Sequence, residues 1–182
     1  MELTFDQWMT VLGAMGSWLA AVGTIAASGV ALLLAGRAEK VKLKVWAGRR
    51  LIVGGGSGQP TECVVISVTN LGERPVIIQS AAWRMGKGKS RQYAIQMPST
   101  TSPSQFGKRI DYGENAQFMV NFVESPDWMR DFATNVVQDG SDKWLKTLRA
   151  QVNTSVGHTE TVKPEQPFLD EIKQILETDR AE

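Results

Sequence analysis

The chain has few of the residues on which active sites and disulfide-stabilised folds usually depend. It contains one cysteine, Cys63, and one histidine, His158, among 182 residues. A single cysteine excludes an internal disulfide, and any metal site would have to rest mainly on carboxylates. No Walker, dinucleotide-binding or hydrolase motif is present. We therefore expect a protein that is not an enzyme, with no catalytic residue, no metal and no cofactor.

The few reactive side chains have ordinary structural interpretations. Cys63 lies in an apolar run, which predicts a buried, inert thiol rather than a nucleophile paired with His158. Asp111 and Glu114 flank a turn, where two carboxylates are normally solvated.

The chain also has no large excess of positive or negative charge. Its 20 Lys and Arg nearly balance 19 Asp and Glu, which gives a net charge of +1.

Residues 8–36 hold no charged side chain at all. About 20 apolar residues cross a bilayer as a helix, so this stretch predicts one transmembrane span. The lysines and arginines that follow it place residues 37–182 in the cytoplasm of a bacterial cell and residues 1–7 outside the inner membrane. A cleaved signal sequence is the alternative, although its usual basic leader is absent.

Small side chains gather on one edge of this predicted helix. They recur at heptad spacing and include four hydroxyls, while bulky residues such as Trp18, Ile25 and Leu32 lie on the opposite face. In lipid, small residues let helices approach closely, so the edge predicts self-association. Four or more copies would line a narrow pore with it, whereas a simple anchor would carry the same residues incidentally. The edge comprises Thr10, Gly13, Ser17, Ala20, Ala21, Thr24, Ala27, Ser28 and Ala31.

The remainder predicts a mainly-β domain over residues 37–163, either an immunoglobulin-like sandwich or a small barrel. Seven or so short runs rich in β-branched residues alternate with turn-forming residues. One of the predicted turns is glycine-rich and covers residues 54–58. One of the predicted strands covers residues 145–154. Ser125, Pro126 and Asp127 predict the start of an inserted helix at about 126–138, with Ser125 as the cap. Residues 164–182 predict an amphipathic C-terminal helix and tail.

Basic loops interleaved with aromatic residues predict a ligand site in this domain. Lys87, Lys89 and Arg91 crowd a hairpin, and Lys108 and Arg109 lie in a second loop. The aromatic residues close to them in sequence are Trp83, Tyr93, Phe106 and Tyr112. Charge for phosphate and ring faces for stacking are what a nucleotide or single-stranded nucleic acid requires. The alternatives are a solvated rim of loops, or contact with anionic lipid headgroups.

This layout resembles the membrane effectors of nucleotide-signalling anti-phage defence systems, and most closely the Hailong type. The residues that carry the resemblance are Thr10, Ser17, Thr24 and Ser28 on the helix edge, together with the basic loops. The resemblance implies a tetrameric channel in the lipid bilayer, gated by a nucleotide or single-stranded DNA oligomer that a partner nucleotidyltransferase makes. It also implies that an open channel halts the growth of an infected cell.

A second function remains open on the same sequence. A non-conducting, membrane-anchored sandwich that docks a protein partner, as an envelope or phage exclusion protein does, needs the same span and the same type of domain.

Overall fold

The structure, a computed structural model, describes residues 4–38, 40–53, 60–137 and 142–181. Clustering of Cα atoms divides the chain into two compact units, Met1–Lys40 and Val41–Glu182. The glycine-rich turn predicted at residues 54–58 and the end of the helix predicted to reach residue 138 lie outside the described residues.

The first unit is a single helix, α1, Phe5–Ala38. Its apolar part, Phe5–Gly36, has 32 residues and carries Asp6 alone as a charged side chain. At about 1.5 Å per residue it extends for about 48 Å, more than the roughly 30 Å of a bilayer's hydrocarbon core. The helix is therefore long and apolar enough to span a membrane, as the sequence predicts.

The second unit is a mainly-β domain of two antiparallel sheets, which confirms the predicted fold class. One sheet has the strand order β1-β2-β6 and the other β4-β3-β7-β8, with the short β5 also paired to β3. The strands are β1 Leu43–Ile52, β2 Thr61–Asn70, β3 Val76–Met85, β4 Gln92–Ile95, β5 Arg109–Ile110, β6 Asn115–Asn121, β7 Arg149–Thr154 and β8 Thr159–Val162.

Alternation along the strands places one set of side chains between the sheets. Val64, Ile66 and Val68 of β2 face the main core, while Cys63 and Val65 belong to a smaller cluster on the other face with Met119. Apolar residues of β2 are therefore buried on both of its faces.

The helices of this domain differ in part from the prediction. They are α2 Trp128–Asp131, which continues as a π-helical turn Phe132–Val136, then α3 Asp142–Thr147 and α4 Gln166–Ala181. The predicted cap by Ser125 is wrong: Asp127 precedes the helix without a side-chain cap bond, and Ser125 contributes only its carbonyl, 3.2 Å from the amide of Trp128.

Residues 145–147 are helical rather than extended, so the strand predicted over 145–154 begins only at Arg149. Leu145 and Leu148 are both buried, and their spacing of three suits a helical turn as well as a strand end. The hydroxyl of Thr147 closes that turn by donating to the carbonyl of Trp144 at 2.8 Å.

Trp83 on β3 is the centre of the core. Its side chain is 1% exposed, stacks on Phe168 of α4 with ring centroids 5.1 Å apart, and meets Phe132 edge-on at 5.3 Å. Its indole N–H donates to the Oε1 of buried Gln96 at 2.7 Å, and the Gln96 amide donates to the carbonyl of Phe118 on β6 at 3.1 Å. One hydrogen-bonded chain therefore links the two sheets.

An ion pair fastens the start of α4 to β1. The Arg50 guanidinium donates to both carboxylate oxygens of Glu165 at 2.5 and 2.6 Å, and it also stacks over the Trp46 ring at 4.2 Å. The hydrogen bond from Arg50 holds the pKa of Glu165 below its ordinary value. Next to this pair, Arg49 bridges Glu62 of β2 and Glu171 of α4.

We predict that Gln96→Leu destabilises the protein by about 1–3 kcal/mol, because the buried indole N–H of Trp83 would lose its acceptor. Thermal unfolding of the detergent-solubilised chain measures this loss. Gln92→Leu, at the exposed start of β4, is the matched control, and an equal loss in both variants would contradict the role given to Gln96.

We predict that Glu165→Gln costs no more than about 1 kcal/mol at neutral pH, since the pair is partly exposed. The folded-state pKa of Glu165 is lowered, so its stabilisation is present above the ordinary carboxyl pKa of 4.5 and is lost as the pH falls through the folded value. Melting temperatures of both proteins should therefore converge as the pH falls below 4.5 and through the lowered folded-state pKa. A difference that is constant with pH would contradict the ion-pair explanation.

Candidate functional site

The structure separates the two predicted basic groups. Arg109 pairs with Ile77 at one end of β3, whereas the hairpin carrying Lys87, Lys89 and Arg91 follows Met85 at the other end. Eight residues of strand at about 3.3 Å each put the two groups about 26 Å apart. A small ligand cannot touch both.

At the first end, the basic side chains are occupied by neighbours. The Lys108 ammonium donates to the carbonyl of Asn115 at 3.1 Å, and the Arg109 guanidinium donates to Asp111 at 3.1 Å. Tyr112 is exposed nearby, but Phe106 is half-buried against Phe118. Arg109 is therefore paired with an acid, and Lys108 is hydrogen-bonded to the main chain.

At the other end, the hairpin between β3 and β4 presents its charges to solvent. Gly86 adopts a φ of +76°, and a Cβ at this position would collide with the carbonyl of Ser90, so the tight turn requires glycine. Lys87 and Lys89 are exposed and, among the described residues, form no ion pair. The Arg91 guanidinium lies 3.4 Å from the Tyr93 hydroxyl.

A pocket of about 400 Å³ lies beside this hairpin. It is lined by Gly86, Lys87, Ser90, Trp144, Lys146 and Thr147. The amide of Gly86 donates to the Thr147 hydroxyl at 3.0 Å, which fixes the hairpin against α3. The pocket thus combines an aromatic wall with ammonium groups on two sides, which is the chemistry of an anionic aromatic ligand.

Among the lining residues that the sequence-based site lacks, three lie outside the hairpin. Trp144, Lys146 and Thr147 lie more than fifty positions from the hairpin, and only the folded α3 brings them together. A helical interpretation of the spacing between Leu145 and Leu148 would have placed Trp144 and Lys146 on a turn, but nothing in the sequence joins that turn to the hairpin.

Basic side chains continue from the pocket along the outer face of the larger sheet. Tyr93 of β4, Arg84 of β3 and Arg149 of β7 are cross-strand neighbours. The Nε of Arg84 is buried without a hydrogen-bond partner in the described part of the chain. Arg149 donates to the carbonyls of Lys146 and Leu148 at 3.0 and 2.7 Å, at the end of α3. We call the hairpin, the pocket and these two arginines the basic end.

The other predicted aromatic and reactive residues lie away from this end or have structural roles. Trp83 is part of the core rather than of a stacking surface. Cys63 is buried, and burial raises the pKa of its thiol, which suits the predicted inert role. His158 lies 3.5 Å from the Glu160 carboxylate. The described residues contain no cluster of His, Cys, Asp and Glu that would hold a metal ion.

On α1, two hydroxyls of the small-residue edge bond to their own helix. Thr10 donates to the carbonyl of Asp6 at 2.9 Å and Thr24 to that of Ala20 at 2.8 Å. Such bonds satisfy the hydroxyl proton in lipid and leave oxygen lone pairs to accept from a second helix or from water. The edge is flat and free of bulky side chains along Thr10, Gly13, Ser17, Ala20, Ala21, Thr24, Ala27, Ser28 and Ala31.

Comparisons with known proteins identify no family. No family model matches the chain, and no curated protein matches it. Among solved structures, the ApaA protein from Bordetella pertussis is similar, with a TM-score of 0.30 and 13% identity, over 67% of this chain and 87% of the other. A structural-genomics target, SoR45, is similar with a TM-score of 0.29 and 11% identity, over 66% of this chain and 80% of the other.

Proposed function

We propose that this chain is a homo-oligomeric membrane protein whose small-residue edges meet in the bilayer and whose β-domain controls that assembly by binding an anionic ligand. The observation that carries the proposal is the sorted helix α1, with small and hydroxylated residues on one edge and bulky residues opposite. A lone anchor gains nothing from such sorting, whereas closely packed helices require it.

With four copies, the hydroxylated edge lines a narrow pore. The hydroxyls of Ser17, Thr24 and Ser28 then face the axis, and the alanines between them form apolar constrictions that gate by dewetting. The setting is the bacterial inner membrane, with residues 1–7 outside and the β-domain in the cytoplasm, as the basic residues after the span favour.

The basic end is the proposed sensor. Lys87 and Lys146 neutralise phosphate, the Trp144 ring stacks on a base, and Lys89 and Arg91 extend the charge along a longer chain. The ligand class is a nucleotide or a single-stranded DNA oligomer, supplied by a partner nucleotidyltransferase. For the ligand to control the pore, it must bind the open and closed assemblies with different affinities.

In this role the protein acts in anti-phage defence: opening dissipates ion gradients and arrests the infected cell. The alternative is a non-conducting anchored sandwich that docks a protein partner through the same basic end. A docking module is harmless when expressed alone, which separates the two functions by a simple growth experiment.

We predict that expression of the chain alone slows growth and that Ser17→Leu with Thr24→Leu restores it, because the added bulk blocks close helix packing. Dye or ion flux from vesicles carrying the purified protein should fall in parallel. Val11→Leu with Ile25→Leu, on the bulky face, is the matched control and should leave both measurements unchanged. Equal protein levels must be verified in the membrane fraction, and flux that is insensitive to Ser17 and Thr24 would exclude the pore.

We predict that Lys87→Ala with Lys146→Ala weakens binding of a labelled single-stranded DNA oligomer by about tenfold or more, as expected for two lost charge-assisted contacts. Fluorescence anisotropy at constant salt measures the affinity. Lys108→Ala with Arg109→Ala removes the same charge from the opposite end of β3 and should change it little. Equal losses in both pairs would indicate diffuse charge attraction and no site in the pocket.

A further inference from the structure

The free edges of the two sheets are treated differently in this fold. Exposed strand edges normally carry some form of protection, because their unpaired N–H and C=O groups recruit other strands. The outermost strands of the two sheets are β1, β6, β4 and β8. Described segments cover the edge of β6 and the middle of the β1 edge, whereas the edge of β4 is open.

Serine hydroxyls cover the edge of β6. The segment after β4 runs along this strand, and the Oγ atoms of Ser104, Ser102 and Ser99 accept from the alternate amides of Gln117, Met119 and Asn121 at 3.1, 3.1 and 2.8 Å. The amide of Ser99 also donates to the carbonyl of Met119 at 2.7 Å. The outward amides of β6 therefore have partners without an added strand.

The edge of β1 is also covered. The chain that follows β8 returns along it, and the amide of Glu165 donates to the carbonyl of Ala47 at 3.0 Å. The ion pair between Arg50 and Glu165 holds this segment in place.

The outer edge of β4 has no such cover from the residues that the structure describes. Among the described strands β4 pairs only with β3, through Met85 to Ala82. Gln96 donates its amide to Ala81, so alternation directs the main-chain groups of Tyr93 and Ile95 away from β3. The strand contains no charge or proline, and Tyr93, Ile95 and Met97 are 53, 64 and 71% exposed.

The two ends of this open edge carry opposite charge. Arg91 lies at its start, next to Lys89 and Lys87. At its far end, a groove of about 590 Å³ is lined by residues that include Met97, Glu124 and Asp131. The Glu124 carboxylate accepts from the amide and hydroxyl of Thr100, both at 3.1 Å, and hydrogen bonds from Thr101 and Thr100 lower its pKa. Asp131 is exposed and forms no ion pair in the described part of the chain.

We propose that the β4 edge pairs with the β4 edge of a second copy of this chain, antiparallel about a two-fold axis at Ala94. In this register Tyr93 of one copy lies opposite Ile95 of the second, an aromatic and β-branched pair of the kind that stabilises sheets. Arg91 lies opposite Met97 of the second copy, at the groove that Glu124 and Asp131 also line. Because the axis is two-fold, each contact occurs twice. Each copy therefore supplies Arg91 to its partner's acidic groove and its own acidic groove to its partner's Arg91.

The pairing concerns the β-domain and stands whether or not α1 forms a pore. It joins β-domains in twos, so a four-chain assembly would contain two such pairs.

Disulfide trapping in native membranes tests the pairing, because the chain's one cysteine is buried and Cys63→Ser provides a clean background. Ala94→Cys faces itself across the two-fold axis in a non-hydrogen-bonded pair, with Cα atoms about 4.5 Å apart, within disulfide range. Gln92→Cys is the matched control on the same strand, since its copy lies about 14 Å away along the sheet. We expect a cross-linked dimer from Ala94→Cys and none from Gln92→Cys; no dimer, or equal dimer from both, would overturn the pairing.

A charge exchange tests the choice of a second copy as the occupant. Arg91→Glu in the Ala94→Cys protein should abolish the cross-link, and adding Asp131→Arg should restore it. An unchanged cross-link in Arg91→Glu, or loss without restoration, would contradict the paired register. Repeating the trap with Ser17→Leu and Thr24→Leu separates domain pairing from helix association, because the cross-link should persist when the pore does not form.

Discussion

The indole of Trp83 on β3 lies where this strand meets α4 and the π-helical turn, and both helices pack against it. Phe168 from α4 stacks on its ring and Phe132 from the π-helical turn meets it edge-on, so both helices contact one side chain. A buried indole N–H needs an acceptor, and Gln96 supplies it while also reaching the carbonyl of Phe118 on the other sheet. This chain fixes the end of β4, and with it the start of the segment whose serines cover β6.

The two units of the protein differ in the character of their surfaces. On α1, apolar side chains lie on all sides and backbone groups are satisfied within the helix, which is the requirement for a lipid environment. In the β-domain, charge is concentrated where strands end. The Arg49 and Arg50 pairs are used to attach α4, whereas the basic end retains its charge for solvent or a ligand. The proposed division between membrane assembly and ligand recognition requires such a distribution.

The fold class could be predicted because its signals are local: an uncharged stretch marks α1, and alternating β-branched runs mark the strands. Trp83 was predicted near a ligand site because it is close to lysines in the sequence, whereas the structure buries it together with Ala81 and Met85. The failures have a common cause. The spacing of Leu145 and Leu148 fits two structures, and only packing selects the helix. The separation of Arg109 from Lys87 and the approach of Trp144 to the hairpin depend on strand register and on tertiary contacts, which no short window of sequence contains.

Self-association of α1 is the claim on which the proposed function depends. The mass of the detergent-solubilised particle, measured by light scattering with the detergent contribution subtracted, tests it most directly. A chain of 20.0 kDa should give a discrete assembly of about 80 kDa for four copies. A monomer at every protein concentration would leave the small-residue edge facing lipid and contradict the assembly.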